Sequence, residues 1–268
     1  MREKQFEWLI PILLAAGAAA ALWYYWWQSR PAEPVPAAAA PAAVVAEPAA
    51  RVDPVHPVVT DESTPAEKPA LVPLPALDES DEYFELAIAD LFDESLTELL
   101  VETGLIGKIV ATVDNLPRSH VAERVRPLNR LEGEFTADEQ DNSGQATISE
   151  LNYLRYDALV NVVTSADLNA VAEVYRRFYP LFQKAYVDLG YPDGYFNDRL
   201  VEVLDHLLAT PDVEGPLALV RPHVLYEYAD PELESLSSGQ KLMLRMGRNH
   251  RARMKQTLRQ VRAIVTSL

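Results

Sequence analysis

The stretch LNAVAEVYRRFYPLFQKAYVDL, residues 168–189, decides the fold class because its apolar residues recur every three or four positions. At about 100° per residue, this spacing places them in one sector of a helix. The pattern keeps its phase across Pro180, so one kinked helix capped by Asp167 is predicted. The apolar sector contains Leu168, Val171, Ala172, Tyr175, Phe178, Tyr179, Phe182, Tyr186 and Leu189.

Further helices are predicted on both sides of this stretch from the same spacing and from capping residues. Asn197 is expected to cap one of them, and Ser237 with Gln240 has the spacing of a capping box. No internal repeat and no alternation of strands with helices is present, so the fold class is predicted to be all-α: one irregular, multi-helix soluble domain. Its helices are expected at residues 78–92, 95–103, 105–116, 149–163, 198–209, 239–246 and 249–267, and a small hairpin at 135–137 and 145–148.

An uncharged apolar run, WLIPILLAAGAAAALWYYWW, occupies residues 8–27. About 20 helical residues, each rising about 1.5 Å, cross a hydrocarbon core of about 30 Å. Trp8 at one end and Trp27 within the aromatic cluster at the other match the interfacial belts of a bilayer. We therefore predict a transmembrane anchor over residues 1–30, with a cleaved signal peptide as the alternative.

The orientation of this predicted single-pass anchor follows from its flanking charges. Arg2, Lys4 and the amino terminus precede the apolar run, whereas Arg30 follows it. The positive-inside rule then places the N-terminus in the cytoplasm. The expected location is the inner (cytoplasmic) membrane of a bacterial cell envelope, with the helical domain in the periplasm.

The composition changes at Pro31, where a Pro/Ala-rich segment begins. Residues 31–76 contain eleven of the twenty prolines and show no apolar periodicity. Such a composition predicts a disordered, semi-rigid linker that extends by about 3.1 Å per residue. The expected organisation is therefore an anchor at 1–30, a linker at 31–76 and a helical domain at 77–268.

The chain carries a net charge of −16 and contains no cysteine. The missing thiols exclude disulfides, thiolate metal sites and a cysteine nucleophile. The acidic body excludes nucleic acid as a partner. Residues 240–268 carry eight bases and no acid, whereas residues 69–107 carry ten acids and no base. We expect the basic C-terminal helix to dock against this acidic segment, with an interface to a partner as the alternative.

Three segments resemble the bacterial family known as domain of unknown function 3014: DNLPR at residues 114–118, YPDGYFNDRLVEVLDHLLATP at 191–211, and RPHVLYEYADPELESLSSGQKLMLRMG at 221–247. The resemblance extends from about residue 76 to residue 264, and the anchor and spacer are also similar to that family. It implies a membrane-anchored envelope protein. It implies no activity, no cofactor and no functional residues.

A tyrosine-rich surface is the candidate ligand-binding site, because tyrosine combines stacking area with a polar group. A groove between residues 191–197 and 226–228 would suit an envelope glycan or peptide. The alternative is that these tyrosines belong to the core, as predicted for Tyr175, Tyr179 and Tyr186. The candidate residues are Tyr191, Asp193, Tyr195, Asn197, Tyr226 and Tyr228.

Two polar patterns have the spacing of possible metal ligands. The run EQDNSGQATISE, residues 139–150, matches part of a calcium loop, but it has no clear entering helix, and a plain loop is favoured. A second set shares one face of the helix predicted at 198–209, where a solvated face is favoured. No cofactor is therefore predicted. The loop candidates are Glu139, Asp141, Ser143 and Glu150, and the helix candidates are Asp198, Glu202, Asp205 and His206.

The sequence contains no phosphate loop and no GxSxG or HExxH motif, and the SxxK pattern at residues 238–241 lacks its partner motifs. We therefore expect a non-enzymatic, membrane-tethered protein whose helical domain binds another envelope component. The alternative is a ligand-binding protein or an enzyme that acts on an envelope glycan or peptide through the tyrosine-rich surface.

Overall fold

The computed structural model describes residues 53–60, 73–92, 99–131, 133–140 and 145–268. These residues belong to one compact unit, Arg51–Leu268. The predicted anchor at residues 1–30 lies outside them, as does most of the predicted linker. No helix in the described ranges is both long enough and apolar enough to cross a membrane.

The described chain is mainly helical, and it also contains a small antiparallel sheet. Two short 3-10 helices occupy Leu77–Glu79 and Glu123–Val125. The α-helices are α1 (Asp81–Phe92), α2 (Leu105–Asn115), α3 (Glu150–Leu154), α4 (Asp157–Ser165), α5 (Leu168–Asp188), α6 (Phe196–Leu208), α7 (Pro231–Glu234), α8 (Ser238–Arg245) and α9 (Gly247–Val265). The strands are β1 (Ala137–Gln140), β2 (Gln145–Ile148), β3 (Ala218–Val220) and β4 (Glu227–Tyr228), which pair in chain order.

Helix α5 confirms the central prediction, since it continues through Pro180 without ending. The carboxylate of Asp167 accepts hydrogen bonds from the N–H groups of Asn169 (2.9 Å) and Ala170 (3.4 Å), as expected for a cap. Residues spaced by three or four positions lie on the same face of a helix. Phe178, Phe182 and Tyr186 on this face are buried in the core, whereas Leu189 just after the helix is exposed.

Aromatic side chains join α5 to its neighbours in the core. Phe178 and Phe182 of α5 make edge contacts with Phe84 of α1, at ring centroid distances of 5.1 and 5.6 Å. Phe182 also stacks on Phe196 of α6 at 5.6 Å. All four rings are buried. Because each aromatic ring buries a large apolar area, these contacts fix α1 and α6 against α5.

The predicted all-α class is wrong in one respect, because a four-stranded sheet is present. Strand β2 lies where the hairpin was predicted, whereas β1 lies at Ala137–Gln140 and not at residues 135–137. The short strands β3 and β4 were not predicted. They have three and two residues, too few for an alternating pattern. Strand β3 pairs with β2 and β4 pairs with β3, and both strands share a hydrophobic cluster with Leu244.

Two of the predicted helices differ in the structure. The helix predicted at 149–163 is divided into α3 and α4. Of the helix predicted at 95–103, residues 93–98 lie outside the described chain, and the remaining residues are not helical. Gly104, with φ of 68°, precedes α2, and the Asp81 carboxylate accepts its N–H at 2.6 Å. Gly104 therefore stands at the start of a helix.

The basic helix α9 docks within the domain, as predicted, but against different partners. It packs on α6, α4 and α8. Within the described residues, its ion pairs are not made with the acidic segment at 69–107. Composition alone does not say which helix faces meet, and here the acids lie on or near α4 and α6. They are Asp157, Asp205, Asp212 and Glu214.

Candidate functional site

The three segments that carry the family resemblance meet beside α6. The carbonyl of Leu116 accepts the N–H of Gly239 at 2.9 Å, and the carbonyl of Arg118 accepts that of Ser238 at 2.8 Å. A Cβ atom on Gly239 would lie 3.0 Å from the Leu116 oxygen and 2.7 Å from a methyl group of Leu207. The close approach of these segments therefore requires glycine at this position.

A buried carboxylate, Asp114, holds the same segments together. Arg199 Nε lies 3.0 Å from Asp114 Oδ1, and Arg118 Nη2 lies 2.7 Å from Asp114 Oδ2. The Tyr191 hydroxyl donates to Oδ2 at 3.3 Å. Burial acts to lower the pKa of Arg199, but hydrogen bonds and charges from Glu202 and Asp114 outweigh it and raise that pKa. The cluster is charge-compensated and positions α2 against α6.

His206 and Ser237 form a second polar contact in this region, with 2.8 Å between Nε2 and Oγ. A serine and a histidine at this distance resemble the start of a nucleophilic site. However, Ser237 is 8% exposed and its Oγ accepts the N–H of Gln240, so it caps α8. Within the described residues, no carboxylate binds the other ring nitrogen of His206. The pair therefore acts in helix capping.

The N-terminal end of α6 holds a segment from the predicted linker. The carboxylate of Asp198 accepts the backbone N–H groups of Val55 (3.0 Å) and His56 (2.7 Å). Asn197 Nδ2 donates to the carbonyl of His56 at 2.9 Å. The carbonyl of Leu268 accepts the N–H of Val59 at 3.2 Å. We call Asn197, Asp198 and Leu268 the clasp, and residues 53–60 the docked segment.

Asn197 is not the helix cap that the sequence predicted. Its side chain is fully buried, where Nδ2 also donates to the carbonyl of Val265 at 2.9 Å and Oδ1 accepts the hydroxyl of Tyr175 at 3.1 Å. The capping role belongs to Gln183 of α5, whose Oε1 accepts the N–H of Phe196 at 2.9 Å. Asn197 is thus free of capping and is oriented by two fixed partners towards the docked segment.

Two tyrosines of α5 make hydrogen bonds that orient polar side chains at the clasp and at the start of α6. Burial raises the pKa of Tyr175 strongly. Burial also raises the pKa of Tyr179 to about 12. Both hydroxyls are therefore protonated at neutral pH. Tyr175 donates to Asn197, and Tyr179 donates to Gln183 at 3.2 Å. The predicted core role of these tyrosines thus includes orienting polar groups at the end of α6.

The first four predicted ligand-binding residues lie near α6. Tyr191 binds Asp114 and stacks on Tyr186 at a centroid distance of 4.6 Å. Asp193 is exposed in the turn before α6, Tyr195 is half-buried at its start, and Asn197 belongs to the clasp. Of these four residues, Asn197 is the one that binds the docked segment.

The other two predicted ligand-binding residues lie in the sheet. The Tyr226 hydroxyl donates to Glu139 at 3.3 Å, and its ring packs against Phe135. Tyr228 is buried, and burial raises its pKa to about 12. They pack in a different hydrophobic cluster from Tyr191. Residues 191–197 and 226–228 therefore pack in different parts of the core.

The predicted metal candidates are only partly described. Glu139 is exposed on β1 opposite Ala146, and Glu150 is exposed at the start of α3. Asp141 and Ser143 lie outside the described residues. In the described ranges, no group of three acidic or histidine side chains could hold a metal ion.

The polar face of α6 was expected to be solvated, and its side chains Glu202 and Asp205 are exposed, but each of its four polar side chains also has a defined partner. Asp198 binds the docked segment, Glu202 binds Arg199 and His206 binds Ser237. The fourth, Asp205, pairs with Arg262 of α9, whose hydrogen bond is the main cause of its lowered pKa. Asp198 was a candidate from the sequence as a metal ligand only, and its main-chain partners could not be predicted because they lie 142 and 143 positions away in the chain.

These features define a mainly helical domain with a small antiparallel sheet and a polar clasp that holds a segment of its own chain. The sequence profile described as a protein of unknown function (DUF3014) matches residues 105–262, more than half of the chain. The chain belongs to this family, which confirms the resemblance in its motifs. Neither a curated protein nor a solved structure matches the chain. The matched range includes Asn197 and Asp198 and excludes the docked segment.

Proposed function

We propose that the protein is a membrane-tethered envelope protein whose helical domain binds another envelope component. The clasp is the observation that carries this proposal. It holds polypeptide from outside the family-matched region through four hydrogen bonds. A surface that binds one polypeptide segment through its main chain offers the same groups to a segment of another protein.

The tether in this proposal rests on sequence composition. Residues 8–27 have the length and aromatic ends of a membrane span, and their flanking charges favour a cytoplasmic N-terminus. The proposed location is therefore the inner membrane, with the helical domain in the periplasm. The Pro/Ala-rich composition that follows the anchor is expected to act as a semi-rigid spacer.

The alternative function is ligand binding or catalysis on an envelope glycan or peptide. The contact between His206 and Ser237 is the starting point for a catalytic interpretation. Capping of α8 by Ser237 accounts for this contact without catalysis. Binding of a protein component is therefore the function favoured by the geometry.

In-cell photo-cross-linking tests the binding function. A photoreactive residue replaces Asp193, which is exposed in the turn before α6, and the matched control replaces Asp138, which is exposed on β1. We expect a discrete product with one envelope protein, identified by mass spectrometry, from position 193 and not from position 138. A product set that is the same at both positions, or no intermolecular product, contradicts the proposal.

A reporter fusion tests the proposed location. Alkaline phosphatase is fused after Leu268, because this enzyme becomes active outside the cytoplasm, and a second fusion carries a reporter that is active only inside. We expect phosphatase activity from the first fusion and no signal from the second. Activity of the cytoplasmic reporter contradicts a periplasmic domain.

A further inference from the structure

The clasp contacts the main chain of the docked segment and leaves two of its aliphatic side chains in solvent. Val55 is 73% exposed and Val59 is 56% exposed. The donors and acceptors that the segment offers are the N–H groups of Val55, His56 and Val59 and the carbonyl of His56. Recognition therefore depends on backbone shape more than on these side chains.

The backbone shape is a bend at Val55 and His56. Two successive N–H groups converge there on the one carboxylate of Asp198. Successive N–H groups in a turn form a concave site for an anionic group, and hydrogen bonds to a carboxylate are stronger than neutral ones. The segment thus presents a small anion-binding bend, and Asp198 supplies the anion.

Prolines stand on both sides of this bend, at Pro54 and Pro57. Each proline fixes its own φ angle near −65°, and the residue before a proline is restricted to extended conformations. Fewer conformations are then lost when the segment docks, which lowers the entropic cost of binding. The two prolines restrict the chain around the two N–H groups that Asp198 accepts.

The protein side of the contact is equally restricted. Asn197 is fully buried, and its amide is oriented by Tyr175 and Val265 before it reaches the His56 carbonyl. Asp198 lies in the first turn of α6, where the helix dipole favours a negative charge. The clasp therefore offers the two carboxylate oxygens of Asp198 and the carbonyl of Leu268 as acceptors, and the amide of Asn197 as a donor.

We propose that the clasp is a binding site for proline-flanked bends of the type Pro-x-x-Pro, and that the docked segment is its built-in occupant. This assignment rests on the proposed function, because it names the class of envelope component that the domain binds. A partner peptide competes with residues 53–60. Its binding frees them from α6 and lengthens the free part of the tether.

The competition has a measurable consequence. A segment linked to the same chain has an effective concentration in the range of about 1 mM, so it occupies the clasp unless its intrinsic affinity is weaker than that. The apparent affinity for a second peptide is the intrinsic affinity multiplied by the fraction of molecules in which the clasp is vacant. Vacating the clasp should therefore strengthen binding of a peptide in trans.

The test uses the full-length chain and a fluorescein-labelled peptide of sequence DPVHPVVT, with binding followed by fluorescence anisotropy. In a vacated variant, residues 53–60 are replaced by a Gly/Ser segment of equal length. We expect the vacated chain to bind the peptide about tenfold or more tightly than the natural chain. No binding by the vacated chain overturns the proposal.

Changes in the peptide test backbone recognition without altering the protein. N-methylation at the position of Val55 or His56 removes one N–H that Asp198 accepts, and binding to the vacated chain should be lost. N-methylation at Val58 is the matched control, because in the described residues its N–H has no hydrogen-bond partner. Equal affinities for the three methylated peptides overturn the proposal.

A change in the protein completes the test. Asp198→Ala in the vacated chain should weaken peptide binding by about tenfold or more, and the circular dichroism spectrum should be unchanged. Unchanged affinity overturns the proposal. A cross-link from position 193 to an envelope protein that survives alongside failed peptide binding removes the Pro-x-x-Pro assignment and leaves the proposed function standing.

Discussion

The acids Asp114 and Asp212 each bind two cationic side chains. In the first network the carboxylate is buried, whereas in the second network the two bases are buried. The Asp114 side chain is 3% exposed, whereas its arginines remain partly in solvent. The Asp212 side chain is 75% exposed, whereas its two bases are buried. The exposed fractions of the bases are 55% for Arg118, 24% for Arg199, 3% for Arg251 and 7% for Lys255.

The difference shows that an exposed side chain can be the more important member of a pair. Removing a charge from water is costly, and a buried charge that loses its partner keeps that cost. At Asp212, the stranded charges would be Arg251 and Lys255. At Asp114, the stranded charge would be the carboxylate itself. Residue exposure alone therefore does not rank the effects of substitution.

Both networks hold elements of the clasp. Arg199 joins the first turn of α6 to α2 through Asp114. Lys255 joins α9 to the loop after α6, since its Nζ lies 2.6 Å from the Thr210 carbonyl and 3.0 Å from Asp212. The end of α9 then supplies Val265 and Leu268 to the clasp region. Four substitutions or conditions test the comparison.

The largest effect is expected for Asp212→Ala. Two buried cations lose their carboxylate, and the free energy of unfolding should fall by about 3 kcal/mol, measured by chemical denaturation. Asp212→Asn should cost less, because it keeps one acceptor. Adding Lys255→Met to Asp212→Ala should recover part of the loss. A loss below about 1 kcal/mol would show that water solvates both bases.

A smaller loss, about 2 kcal/mol, is expected for Arg199→Ala, because Arg118 and Tyr191 still bind Asp114. The free energy of unfolding of Arg199→Lys should lie between those of Arg199→Ala and the natural protein. Lysine keeps the charge but lacks the planar fork that reaches both the carboxylate and the carbonyl of Asp114. Glu202→Ala, which removes the exposed partner of Arg199, is the control and should be nearly neutral. Equal losses in all three variants would contradict the burial argument.

Acidification should remove the contributions of His206 and Asp212 to stability in different pH windows. Burial and the nearby Arg199 lower the pKa of His206 below 6.5, so the unfolded chain binds a proton first and stability falls as pH drops below that value. Hydrogen bonding to Lys255 is the main cause that lowers the pKa of Asp212 below 3.8, so its contribution is present above that value and lost as pH falls further.

Denaturation midpoints at pH 7.5 and 5.5 measure the first window. His206→Gln, which keeps a polar side chain, should flatten the change between these two values. An unchanged slope in this variant would assign the effect to another group.

The smallest effect is expected for Arg118→Ala. This arginine binds Asp114 but is 55% exposed, so its removal should cost less than about 0.5 kcal/mol. Thermal denaturation in parallel with Arg199→Ala compares the two arginines directly. A larger loss for Arg118→Ala than for Arg199→Ala would reverse the ranking derived from burial.

Local features of the fold were predictable from the sequence. The apolar period of α5 and its Asp167 cap are both present. Ser237 caps α8, as the capping-box spacing with Gln240 predicts. These features depend on residues only a few positions apart, so propensity and hydrogen-bond chemistry determine them directly.

The candidate site was less predictable. Asn197 was among the proposed ligand-binding residues, but it was grouped with Tyr226 and Tyr228, which pack in a different cluster from Tyr191. Asp198 was assigned to a solvated face. Its role depends on a segment more than 140 positions away in the sequence, and no local pattern encodes such a contact.

The sequence by itself determined the helical character of the domain, its main caps and its family, because these follow from residue spacing and from long contiguous motifs. Tertiary structure decided which charges are buried, which acids the basic helix α9 meets, and where the docked segment lies. Those properties depend on which faces come together, and burial then sets the free energy of each charge and hydrogen bond.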